Sequence, residues 1–252
     1  MPEIDSKERF SNRVDNYVKF RPTYPAEAID YIVAQAGCDE RSVIADLGSG
    51  TGKFTRLFLE RGLCVVAVEP NDHMRIAAEN ELSCFTNFRS VSASAEKTGL
   101  DDNSVDLITV AQAFHWFDRD ICKTEFRRIL KPDGCVCLIW NRRNPSVKFM
   151  AEYHEVVKRL HGEYPNAENE KTAPGVYDAF FDGNYEKHDI FWHQTFDFDS
   201  LWGRTQSSSY SPVAGHPNYE PLKAALRDLF ERYNENGLVR FEYRTEVVIG
   251  RF

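Results

Sequence analysis

Between Val43 and Gly52 the chain reads Val43-Ile44-Ala45-Asp46-Leu47-Gly48-Ser49-Gly50-Thr51-Gly52, and no other stretch constrains the fold as strongly. A short apolar run carries an acid near its end, glycines follow at alternate positions, and Lys53 to Glu60 has the character of a helix. Strand, glycine turn and helix in that order form a nucleotide cradle. The dinucleotide form of the motif asks for a further glycine where this chain has Lys53. Glycine at every second position, with Asp46 ahead of it, points instead to a different adenosine compound. Gly48 allows a tight exit from the strand, Gly50 a close approach of backbone to ligand, and Gly52 close packing of the following helix against the sheet. Three alternate glycines each cost about 0.5–1 kcal/mol of chain entropy, so a turn without a ligand is a poor reason to hold them.

The rest of the first half repeats the alternation of strand and helix. Strands are expected at Ser42 to Leu47, Cys64 to Val68, Phe88 to Val91, Val105 to Val110 and Cys135 to Trp140. Helices are expected from Lys7 to Phe20, Pro25 to Ala36, Gly52 onward, Asp72 to Glu81 and Arg119 to Leu130, with Pro132-Asp133-Gly134 ending the last connection. Such alternation implies a doubly wound parallel sheet with the strand C-terminal ends on one rim, where ligands bind at the reversal of strand order. After Arg143 the rhythm stops. A helix from Lys148 to His161, a polar loop from Pro165 to Pro174, a strand from Glu186 to Phe198, helices near Ser200 to Gln206 and Tyr219 to Asn234, and a last strand within Phe241 to Phe252 are expected. The insertion among these reads as a candidate lid. Its aromatic residues Tyr177, Phe180, Phe181, Phe191, Trp192, Phe196, Trp202 and Tyr210 could supply two or three pocket walls.

Composition narrows the partners. A formal net charge of -8 argues against a nucleic-acid surface, which needs clustered cations. Six cysteines lack C-x-x-C pairing or a histidine cluster at zinc spacing, so no metal site is expected, and Cys64, Cys135 and Cys137 read as core thiols. The opening Met1 to Arg13 is charged rather than apolar, and no run is long enough to span a membrane. A cytoplasmic monomer or homodimer is the expectation.

The ends of the later strands carry candidate chemistry. Glu69-Pro70 closes the second strand about twenty residues beyond the glycine loop, where a carboxylate can accept from two ribose hydroxyls. Met74 follows on the next helix. Small residues from Val91 to Ala95, ahead of Glu96, leave room for a flat base. Ala111 to Asp118 closes the fourth strand and interleaves Gln112 and His115 with Phe114, Trp116 and Phe117. Aromatic faces attract a cation by about 0.5–2 kcal/mol. His115 suits a general base or an orienting group, or a structural place at a helix start. Arg142 and Arg143 end the fifth strand and either hold a carboxylate-bearing substrate or sit at the surface.

Together these residues resemble the Rossmann-like (class I) S-adenosylmethionine-dependent methyltransferases, in particular the type 11, trans-aconitate methyltransferase-like branch. The branch marks are Tyr17 with Arg21-Pro22-Thr23-Tyr24-Pro25, Ala113-Phe114-His115-Trp116-Phe117, and Ser207-Ser208-Ser209-Tyr210-Ser211-Pro212. The resemblance is strongest from Phe10 to Arg143. It implies an α/β fold: a doubly wound seven-stranded Rossmann-like methyltransferase sheet with N-terminal helices and a C-terminal cap insertion. Residues 1–143 would form the cofactor-binding core with its cover helices, and 144–252 the cap and the final strands. It also implies S-adenosyl-L-methionine as cofactor, S-adenosyl-L-homocysteine as product and a small-molecule acceptor. Tyr17 would shield the sulfonium and Arg21 pair with the methionyl carboxylate. Ala95 and Glu96 would meet the adenine. The expected cofactor contacts are Tyr17, Arg21, Asp46, Gly48, Ser49, Gly50, Gly52, Glu69, Pro70, Met74, Ala95, Glu96, Gln112 and Phe114. Toward the acceptor stand His115, Trp116, Arg142, Arg143 and Tyr210. The competing readings are a non-catalytic S-adenosylmethionine-binding sensor or assembly protein, a nicotinamide-dependent oxidoreductase, and a protein methyltransferase.

Overall fold

The computed structural model describes residues 22–160, 175–208 and 211–252. The expected helix from Lys7 to Phe20 and the loop from Pro165 to Pro174 therefore lie outside the described residues.

Helix α1 (Ala26–Ala36) leads into β1 (Val43–Leu47), α2 (Lys53–Leu59), β2 (Cys64–Val68), α3 (Asp72–Leu82), β3 (Phe88–Val91) and β4 (Val105–Ala111). A single 3-10 turn at Phe114–Trp116 precedes α4 (Arg119–Ile129) and β5 (Leu130–Arg143). Then come α5 (Lys148–Leu160), α6 (Val176–Phe181), β6 (Tyr185–Phe196), α7 (Phe198–Gln206), α8 (Tyr219–Tyr233) and β7 (Val239–Gly250). Short polar side chains start several helices: Asn71 accepts from the Met74 N–H, Asp118 from Ile121 and Asp197 from Ser200. Each satisfies a donor that the first helical turn would otherwise leave open.

The seven strands form one sheet in the order β3-β2-β1-β4-β5-β7-β6. The first five are parallel, whereas β7 runs antiparallel to both β5 and β6. The parallel expectation for the alternating half thus holds, and the antiparallel β7 comes after the strand–helix rhythm has ended. Strand order reverses between β1 and β4, which places the ligand crevice at their C-terminal ends.

Two elements differ from expectation. Strand β5 begins at Leu130, so Pro132-Asp133-Gly134 is an irregularity inside it rather than the end of a connection. The pairing steps from Val105–Leu130 to Leu107–Cys135, which forces a bulge there. Helix α6 was not anticipated. Tyr177, Phe180 and Phe181 fall at one-turn spacing and are all buried, a pattern too short at six residues to mark a helix in the sequence.

Apolar side chains cover both faces of the sheet. Phe114, Phe126, Phe180 and Phe181 belong to one face, with α4 and α6. Ile29, Ile32, Phe54 and Phe58 cover the other, with α1 and α2. A third cluster joins α5, α7 and α8 to the start of β7 through Tyr153, Leu201, Leu226, Phe241 and Tyr243. This is the cap. Because Arg143 at the end of β5 pairs with Tyr243 near the start of β7, the cap rises from the same rim as the crevice. Among the described residues, no helix is long and apolar enough to cross a membrane.

Candidate functional site

The glycine loop leaves β1 as a sequence of left-handed backbone positions, with φ of +67° at Gly48, +57° at Gly50 and +76° at Gly52. The three glycines meet different surroundings. A Cβ on Gly48 would lie 2.8 Å from that of Ala113, just past β4. One on Gly52 would lie 2.6 Å from Leu82 Cδ1 and 3.2 Å from Ala78 Cβ, so this glycine also admits the close approach of α3. One on Gly50 would meet nothing within 4 Å among the described residues. The middle of the loop is therefore open where its two ends are packed.

Carboxylates hold this loop in place from two sides. Asp46 is fully buried and accepts from Thr55 Oγ1 at 2.6 Å and Thr109 Oγ1 at 3.0 Å. It ties β1 to α2 and β4, so both its oxygens serve the frame of the loop. Burial pushes its carboxyl up to about 6, against the pull of the two threonine hydrogen bonds. Glu69 closes β2 and accepts from Gly50 N–H at 2.9 Å and Asn71 N–H at 2.8 Å. Burial raises its pKa, and those two backbone donors oppose the rise. Each oxygen keeps a second lone pair for a hydroxyl.

The fit of an adenosyl ligand can be judged from unsatisfied groups. Ser49 Oγ and Thr51 Oγ1 are buried without a hydrogen-bond partner among the described residues. A buried hydroxyl left so costs about 1–3 kcal/mol, which a polar ligand in the loop removes. Open space at Gly50, two unpaired hydroxyls and a carboxylate locked by backbone suit a sugar and its polar substituents.

Around this centre, Met74 is buried on α3 and Pro70 is partly exposed. Ala95 is buried, and Glu96 accepts from the Asp118 N–H at 3.1 Å, tying the loop after β3 to the start of α4. Gln112 has φ of +59°. The other non-glycine residues with positive φ are Asn103, Asp182 and Asn236, side chains that tolerate this region, whereas glutamine at the end of β4 is held there against preference. Its N–H donates to Ile139 O at 3.0 Å and its Nε2 to Asn141 O at 3.3 Å. Phe114 points into the core, 4.7 Å from the Phe180 ring centroid. His115 lies half-buried between Trp116 at 4.5 Å and Trp140 at 5.4 Å, ring centroid to centroid. Trp116 is exposed, and Trp140 Nε1 is buried without a partner among the described residues.

The two arginines ending β5 diverge. Arg142 joins Glu246 at 2.9 Å, and Glu246 also takes Lys187 at 2.6 Å and the Tyr177 hydroxyl at 3.0 Å. Burial pushes Glu246 up, but the two cations outweigh it and hold it below the ordinary carboxylate range. Arg143 turns to the cap, its Cζ 5.2 Å from the Tyr153 ring centroid. Tyr177, Phe180 and Phe181 fill the core under α6, and Phe191 is exposed on β6. Tyr17, Arg21 and Tyr210 lie outside the described residues.

Sequence reasoning missed a polar chain along the rim. Thr245 donates to Asn141 Oδ1 at 2.5 Å, Trp192 Nε1 donates to Thr245 at 2.7 Å, and the Trp192 ring stacks on Tyr243 at 4.8 Å. Only the Asn141 position, at a strand end beside the arginines, offered a signal.

Comparison with known proteins agrees with this geometry. A model of the methyltransferase domain matches residues 45–138, from β1 through most of β5. An uncharacterized methyltransferase of Mycobacterium tuberculosis is 41% identical over 150 residues, which cover 60% of this chain and 59% of the relative. A candidate type II methyltransferase from Anaeromyxobacter dehalogenans superposes with a TM-score of 0.69 at 23% identity, over 92% of this chain and 98% of that one. The geranyl diphosphate C-methyltransferase of Streptomyces coelicolor, solved with S-adenosyl-L-homocysteine, superposes with a TM-score of 0.50 at 17% identity, over 90% and 77%. The two structures speak for the fold. The domain match and the M. tuberculosis relative show that the stretch from β1 through most of β5 is similar to methyltransferase domains.

Proposed function

We propose that this methyltransferase domain uses S-adenosyl-L-methionine to methylate a small molecule, within the type 11, trans-aconitate methyltransferase-like branch. Residues 144–252 would enclose the acceptor, and the chain would act as a cytoplasmic monomer or homodimer. The observation that carries the reading is the loop from Gly48 to Gly52, open at Gly50 and braced by Glu69.

The cofactor, when bound, supplies an electrophilic methyl group on a sulfonium. Glu69 would accept from the ribose hydroxyls, its orientation fixed beforehand by two backbone donors. Ser49 and Thr51 would gain partners. Gln112, strained at the end of β4, would set the floor beneath the acceptor. Alignment of acceptor and methyl group is the main catalytic contribution available, since holding reactants in line replaces an entropic cost. His115, beside Trp116 and Trp140, would take the proton of a hydroxyl or acidic carbon acceptor. A carboxylate acceptor needs no base.

Titration calorimetry with S-adenosyl-L-homocysteine and with NAD tests the reading. Binding of the first alone, weakened at least about tenfold in Glu69→Ala, is expected, since hydrogen bonds to a charged group contribute about 1.5–3 kcal/mol. Heat with NAD and none with the homocysteine compound refutes it.

A further inference from the structure

Arg204, on α7, is the one buried cation among the described residues. Its Nε donates to the Tyr243 hydroxyl at 3.0 Å and its Nη1 to Ser207 Oγ at 3.3 Å. Its Cζ lies 5.6 Å from the Phe241 ring centroid and 6.0 Å from that of Tyr243. All of these neighbours are neutral, and no carboxylate among the described residues pairs with it. Two of the buried acids among the described residues have cations beside them, Glu125 with Arg128 and Glu246 with Arg142 and Lys187, whereas Asp46 and Glu69, like Arg204, are held by neutral partners. Burying a guanidinium without a counter-charge is heavily unfavourable.

The position of Arg204 gives it a use. Tyr243 pairs with Arg143 across β5 and β7. Arg143 stacks over Tyr153, whose hydroxyl is 2.9 Å from Thr205 Oγ1, the residue after Arg204. Two arginines from separate elements thus converge on the tyrosine pair Tyr153–Tyr243. The rim chain from Gln112 through Asn141, Thr245 and Trp192 ends on the same Tyr243. The cluster is joined without a gap to the end of β4.

We propose that Arg204 is a specificity-determining residue that anchors an anionic group of the methyl acceptor, a carboxylate or a phosphate, with Arg143 as the second cation. The assignment of that anion to an acceptor rests on the methyltransferase reading. Planar guanidinium forks match both anions. Sequence reading gave this role to Arg142 and Arg143. Glu246 already neutralises Arg142, and the cap provides Arg204 in its place.

The test follows thermal unfolding of the full chain with and without S-adenosyl-L-homocysteine. The titrants are succinate, inorganic phosphate, neutral succinamide, and chloride at matched ionic strength. Succinate or phosphate is expected to raise Tm beyond succinamide and chloride, and the better of the two names the acceptor's anion. Arg204→Met is expected to weaken that response at least about tenfold while its response to the homocysteine compound stays as in the parent. Arg204→Lys, which keeps the charge and drops the fork, is expected to fall between them and serves if the methionine variant does not fold. An unchanged anion response in both variants overturns the proposal, as does a parent protein that responds to neither anion beyond chloride. An anion response through Arg204 with no response to the homocysteine compound refutes the methyltransferase reading and leaves the anion site standing.

Discussion

The two sides of the rim are built differently. At the glycine loop, backbone does most of the work. Gly50 and Asn71 donate to Glu69, Gly48 donates to Val68 O at 2.8 Å, and the residues that matter lie within one βαβ unit. On the cap side, side chains do it, and they come from far apart: Tyr153 meets Thr205, Arg204 meets Tyr243, Thr245 meets Asn141. A site made of local backbone can be shared by proteins of diverse substrate. A site made of distant side chains can change with few substitutions. The family model accordingly stops at residue 138, before the cap begins.

The sharpest way to break the comparison is to damage one side and read the other. Phe241 is fully buried in the cap cluster, so Phe241→Ala is expected to cost about 3–5 kcal/mol in denaturant unfolding. Affinity for S-adenosyl-L-homocysteine in the folded fraction should stay unchanged. If affinity falls in step with stability, the two sides are one cooperative unit.

Asp46 probes the loop side through pH. Its folded carboxyl titrates at about 6, whereas an unfolded one titrates near 3.8. Between those values the folded state holds the extra proton, so this group makes stability fall as pH rises through the window, by about 3 kcal/mol in all. Asp46→Asn keeps a partner for each threonine and is expected to remove that slope. Unfolding curves from pH 4 to 7 showing the same slope in both proteins would count against the buried carboxyl as its source.

Gly50 separates ligand from fold. With nothing near its missing Cβ, Gly50→Ala costs only backbone strain of about 1 kcal/mol, yet it fills the space offered to the ligand. A loss of cofactor affinity well beyond that small stability change, measured by calorimetry, is expected. The smallest effect belongs to Gln112→Gly, which relieves the left-handed backbone and is expected to raise stability by about 0.5–1 kcal/mol while lowering kcat.

The same contrast explains what the sequence discloses. Val43 to Gly52 and Glu69 could be read because strand, turn and acid are contiguous and the residue types have few other uses. The approach of Leu82 to Gly52 has no sequence signal, because Leu82 lies on a helix thirty positions away in the chain. Nothing in the identity of Gln112 announces a positive φ. Arg204 sits in an ordinary amphipathic stretch, and only the fold of α7 onto Tyr243 shows that its charge is enclosed. Tyr177, Phe180 and Phe181 did carry a helical pattern, but over six residues it cannot be told from chance.

From Tyr185–Gly250 to Phe196–Val239 the last two strands pair without interruption along all twelve residues of β6. The same ribbon that completes the sheet therefore runs on to become the floor of the cap. Swinging such a cap means bending a ladder of hydrogen bonds rather than turning about a hinge. Under the proposed function, acceptors of different shape would be accommodated by exchanging side chains above a stiff floor, and not by a door that opens wider.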